Sequence, residues 1–171
     1  MERLDLRQDF SDVYAFVADR VKSFDPEANP GPGEGKRVSR IDVGFGLYDS
    51  GWMCLVFDTR RDPEPDGDWN EFIEDTVLER PEWARTYEVV EAGGTLALIL
   101  PDGTPRELSS GDTASLVAVL GDMLRGVLLK ARKDGIFAAL PKASNCELGV
   151  EEQEGSYGWP EYERRGAENL A

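Results

Sequence analysis

Residues 37–58 read RVSRIDVGFGLYDSGWMCLVFD, and their reading decides the fold. In the first half Ile41, Val43, Phe45 and Leu47 alternate with Asp42, Gly44, Gly46 and Tyr48. A period of two predicts a strand with one apolar face. Asp49-Ser50-Gly51 is a turn sequence, and WMCLVFD is then a second strand, apolar on both faces and therefore inner. Gly44 and Gly46 leave the other face of the first strand bare, open to a partner or to close packing within the fold.

N-terminal to this hairpin, Leu6, Phe10, Val13, Tyr14, Val17, Val21 and Phe24 recur at spacings of three and four. That predicts an amphipathic helix over 4–24, stopped by Pro26. Residues 25–37 are expected to form a flexible, turn-rich loop. Its glycines fit neither G-x-x-x-x-G-K-[ST] nor G-x-G-x-x-G, so no phosphate cradle is expected.

C-terminal to the hairpin, Trp69, Phe72, Ile73 and Val77 predict a helix that ends at ERPEW, residues 79–83. Strands follow at about 86–91, 95–100 and 104–108. A long helix runs through SSGDTASLVAVLGDMLRGVLLKARKDG, capped by Ser110 or Asp112. Its Gly121 and Gly126 each weaken it by about 1 kcal/mol relative to alanine, which suggests close packing there. CELGV, residues 146–150, is a short strand, and the C-terminal end is expected to fray. The expectation is one α+β domain over 1–171, with an antiparallel sheet of four to five strands and helices mainly on one face.

Composition narrows the chemistry. The 171 residues carry 34 acidic and 19 basic side chains, a formal charge of −15, and no histidine. Such a surface repels nucleic-acid phosphates and anionic lipid, and it favours a basic protein partner. Without histidine there is no Ser-His-Asp or Cys-His nucleophile and no histidine-ligated metal. The N-terminus, MERLDLRQDFSDVYAF, is charged rather than signal-like, and no apolar run approaches the ~20 residues of a spanning helix, so a cytoplasmic protein is expected. Cys54 and Cys146 lack C-x-x-C spacing; a disulfide between them stays open, with free thiols expected in reducing cytosol.

The acid-rich stretch FDTRRDPEPDGDWNEFIED, residues 57–75, invites a calcium-loop reading. Asp62, Glu64, Asp66 and Gly67 follow the first half of an EF-hand loop. Position twelve, which needs a bidentate Glu, is Ile73, and Glu74 misses it by one. A turn at Pro65-Asp66-Gly67 followed by a helix capped by Asp68 and Glu71 explains more of these residues. Asp62, Glu64, Glu74 and Asp75 are left over, as candidates for a contact face together with Asp66 and Trp69. The segment GVEEQEGSYGWPEYE adds Glu151, Glu152, Tyr157 and Trp159, acids and aromatics suited to gripping arginine and lysine. Trp52 is read as core.

In its size, acidity and α+β organisation the chain resembles the small acidic immunity proteins of bacterial toxin systems. The resemblance implies a non-catalytic inhibitor that binds and neutralises a cognate toxin, and the acidic surface points to a basic partner; no cofactor and no metal site is expected. The alternatives are a carboxylate- or Mg-dependent enzyme using Asp58, Asp62, Glu64 and Asp66, and a structural or regulatory subunit.

Overall fold

The hairpin forms as its alternation requires. β2 (Val38–Gly46) pairs antiparallel with β3 (Trp52–Asp58), from Arg40 opposite Asp58 to Gly46 opposite Trp52. Gly51 closes the turn at φ 63°, where a side chain would strike the Arg80 carbonyl; only glycine meets both demands. The computed structural model describes residues 2–25, 37–48, 50–58 and 77–160. The turn at 65–67, the helix start at Asp68, and the candidates Asp62, Glu64, Asp66, Trp69, Glu74 and Asp75 lie outside the described residues, as do most of the 25–37 loop and the C-terminal end.

The remaining elements are β1 (Glu2–Asp5), α1 (Leu6–Ser23), β4 (Val77–Glu79), α2 (Pro81–Glu91), β5 (Leu96–Ile99), β6 (Pro105–Leu108), α3 (Thr113–Lys133), β7 (Lys142–Glu152) and β8 (Gly158–Trp159). The fold is α+β. Its strands divide between a three-stranded sheet, β1-β5-β6, and a five-stranded sheet, β4-β3-β2-β7-β8. Both sheets are mixed, where a single antiparallel sheet was expected, because β1 runs parallel to β5 and β2 parallel to β7. α3 touches α1, α2 and β7, so the helices and both sheets share one core.

Local chemistry explains the helix ends. Asp5 caps α1 by accepting from the Arg7 amide at 3.2 Å, and Asp112 caps α3 by accepting from the Ser115 amide at 3.2 Å. In α3, Leu116, Leu120, Leu124, Val127 and Leu128 are fully buried, each stabilising the core by about 1.5–3 kcal/mol. Gly121 gives way to the Tyr157 ring, whose atoms lie 2.6 Å from where a Cβ would sit.

Three expectations need correction. Val77 begins a strand, held by its pairing with Cys54, instead of continuing a helix. ERPEW opens a helix instead of ending one, with Pro81 in the first turn, where its missing N–H costs nothing. Residues 86–91, read as a strand, are the second half of α2, because Trp83, Tyr87 and Val90 fall on one buried helical stripe.

Candidate binding face of the five-stranded sheet

Strand alternation gives this sheet two faces of different character. Ile41, Val43 and Phe45, with Leu55, Met53, Leu148 and Val150 opposite them, line the core. The second face carries Arg40, Asp42, Gly44 and Gly46 on β2, and the register places their neighbours. Asp58 and Glu147 flank Arg40, Val56 and Gly149 flank Asp42, Cys54 and Glu151 flank Gly44, and Trp52 flanks Gly46. β4 extends the last two rows with Val77 beside Cys54 and Glu79 beside Trp52.

One end of this face is buried and polar. Arg40 Nε donates to Asp42 at 2.7 Å, and Asp42 is 8% exposed. The Asp42 carboxylate occupies the space a Gly149 side chain would need, so Gly149 is what allows the ion pair to lie flat on the sheet. Burial pushes the Asp42 carboxyl above its usual range; Arg40 opposes that shift, while the Asp58 and Glu147 charges add to it. Burial likewise pushes the Cys54 thiol up to about 11, and raises that of Cys146. Both cysteines are free, and as protonated thiols at neutral pH they are poor nucleophiles. Asp58, a candidate for carboxylate chemistry, is 3% exposed.

The other end, at the hairpin turn, is acidic, aromatic and accessible. The Trp52 indole lies over Gly46, its Nε1 2.8 Å from the position of a Cβ there. Trp52 is half-buried, not core as its apolar neighbours imply. Gln153 reaches the same spot and anchors the β7–β8 turn through its amide to the Phe45 carbonyl at 2.9 Å. Tyr48 stands at the tip, 42% exposed, with its ring edge-on to Tyr87 at 5.0 Å and the two hydroxyls 3.0 Å apart. That hydrogen bond, with burial and the nearby Glu152 and Glu154 carboxylates, pushes the Tyr48 hydroxyl up to about 12. Val77 is 44% exposed, and Glu79 and Glu154 are exposed with no side-chain hydrogen bond or ion pair among the described residues.

The C-terminal candidates separate across the fold. Glu151 is half-buried on the second face, in the row of Gly44 and Val77. Glu152 is 1% exposed; its carboxylate accepts from the Glu154 amide, the Ser156 amide and the Ser156 hydroxyl at 2.9, 3.2 and 2.8 Å. Its charge is spent on its own turn. Tyr157 is 6% exposed, packed on Gly121, and donates to Asp122 at 2.9 Å. Trp159 is half-buried under the Arg125 guanidinium, 5.2 Å from the ring centre, so its cation–π capacity is met from within the chain. Of the C-terminal candidates, Glu152 and Tyr157 are therefore held within the fold, while Glu151 and Trp159 are half-buried.

The turn-end residues Tyr48, Glu79 and Glu154 were not singled out by sequence. In the sequence alternation Tyr48 falls in phase with Gly44 and Gly46, but β2 ends at Gly46 and Tyr48 packs on Tyr87 of α2. Among the described residues no group of three or more Asp, Glu, Cys or His is placed to hold a metal, and no helix is long and apolar enough to cross a membrane. Comparison with protein-family models, with curated proteins and with solved structures finds no match to this chain.

Proposed function

We propose that this chain is a non-catalytic binding protein of the immunity type, which neutralises a basic toxin partner through an acidic surface. The observation that supports it is the turn end of the five-stranded sheet. There an exposed Tyr48 has the Glu154 carboxylate nearby, and a half-buried Trp52 has the exposed Glu79 opposite it in the register. An aromatic ring with a carboxylate beside it suits a lysine or arginine side chain: the ring face attracts the cation, worth about 0.5–1 kcal/mol when exposed, and the acid sets its register. The formal charge of −15 accelerates encounter with a basic partner roughly 10- to 1,000-fold. Tyr48 is pre-oriented by its bond to Tyr87, so little side-chain entropy is lost on contact.

The test is co-expression with the proteins encoded by neighbouring genes, any basic one among them first, followed by calorimetry of the purified pair. The proposal requires a complex weakened by salt and by Tyr48→Ala. A complex indifferent to both removes the turn end as the contact, and no complex removes that partner.

A further inference from the structure

A groove of about 310 Å³ opens between α1, α3 and the β5–β6 turn. Its apolar lining is Phe10, Leu100, Val119 and Met123. Asp102, Arg106 and Asp122 supply its charged edge. The two acids are engaged within the fold: Asp102 accepts from the Thr104 amide at 2.8 Å, and Asp122 from the Tyr157 hydroxyl at 2.9 Å. Arg106 differs. It is exposed on β6, opposite the buried Leu98 and on the same side of its sheet, and among the described residues it has no hydrogen bond or ion pair. In a chain with 34 acids against 19 bases, a guanidinium at the mouth of an apolar groove and without an acidic partner is a distinct feature.

We propose that this groove binds a small amphiphile, an unbranched apolar chain ending in a carboxylate, with the chain on Phe10, Leu100, Val119 and Met123 and the carboxylate on Arg106. The planar guanidinium fork matches a carboxylate in shape and charge. Half-buried Phe10 and Leu100 supply the accessible apolar surface, and Met123, 3% exposed, lies at its floor with a flexible, polarizable side chain. The volume lies at the lower end of the ~300–1,000 Å³ range of small-molecule sites, which favours a small ligand over a peptide strand.

The test is titration of the full chain with octanoate, octyl phosphate, octanol and octylammonium, followed by amide chemical shifts. Octanoate is expected to move the amides of 100–106 and 119–126 and to bind most tightly of the four. Arg106→Gln, at an exposed and unpartnered position, is expected to leave the rest of the spectrum unchanged and to weaken octanoate roughly tenfold or more, while octanol is unaffected. Several results would overturn the assignment: no shift in the groove at millimolar octanoate, equal octanoate affinity in the variant, or tighter binding of octylammonium or octyl phosphate. Groove shifts that follow protein concentration without ligand would assign it to a second copy of the chain. Tighter binding of a peptide with an apolar C-terminal residue would assign it to a peptide.

Discussion

The Trp52 indole lies in the space that a side chain at Gly46 would fill, with Nε1 and Cε2 2.8 and 2.9 Å from the Cβ position. The bare patch on β2 is therefore a seat for the ring that borders the acidic turn end. Gly46→Val is expected to displace Trp52, at a cost of about 1–3 kcal/mol. Denaturant unfolding monitored by tryptophan fluorescence checks it; an unchanged midpoint and spectrum would mean that Trp52 does not rest there.

The Tyr48–Tyr87 bond predicts an unusual titration. Because Tyr48 is pushed up to about 12 first by that hydrogen bond, Tyr87→Phe should bring its ionisation back toward 10. Ultraviolet absorbance titration follows the phenolate directly. If the high-pH step stays in place in the variant, the bond is not its cause.

Asp9 is another buried acid, 8% exposed, accepting from the Trp83 indole at 2.9 Å and facing Arg80, Asp12 and Glu82. Burial raises its carboxyl overall, so its charged form is a net burden in the folded state. Asp9→Asn keeps an acceptor for the indole and is expected to change stability by less than about 0.5 kcal/mol at neutral pH. Asp9→Ala leaves a buried N–H unpaired and should cost about 1–3 kcal/mol. Paired thermal melts of the two variants separate the charge from the hydrogen bond.

Stability should pass through a maximum in mild acid. Asp9 and Asp42 are raised in the fold, so their contribution is full below the unfolded value of 3.8 and is lost as pH rises through their folded values. Asp5, lowered to about 2 chiefly by its bond to Arg7, together with the lowered Asp102 and Asp134, contributes above 3.8 and loses that contribution below it. Relief of the −15 charge acts in the same direction as Asp9 and Asp42. Urea unfolding is therefore expected to show stability rising from pH 7 toward 4 and falling from 4 toward 2. A steady decline from pH 7 downward would contradict the burial of Asp9 and Asp42.

The elements with strong periodicity were legible in the sequence: α1, the β2–β3 hairpin and α3 with its Asp112 cap. α2 was not, because Thr86, Tyr87, Val89 and Val90 carry β propensity that tertiary packing of Trp83, Tyr87 and Val90 overrides. The parallel pairing of β7 with β2 was also hidden. Its register shifts between Val38 and Arg40, so residues 142–147 show no clean alternation, and pairing across about a hundred residues leaves no local signal. The candidate face depends on that pairing, which is why Glu151 was picked from composition while Tyr48 and Glu79 were passed over. Glu152 shared the composition of Glu151, but one residue of strand alternation turns it inward, and Tyr157 is buried by packing on Gly121 of α3.

The most direct test of a basic partner held at the turn end is calorimetry of the complex with the neighbouring gene product that binds, using the wild-type chain and the Glu79→Lys/Glu154→Lys double variant at low and physiological salt. Both side chains are exposed and without ion pairs among the described residues, so the variant is expected to fold normally. The account predicts binding that weakens with salt in the wild type and is lost, or weakened roughly 100-fold, in the variant. Equal affinity of the two chains at both salt concentrations would contradict it.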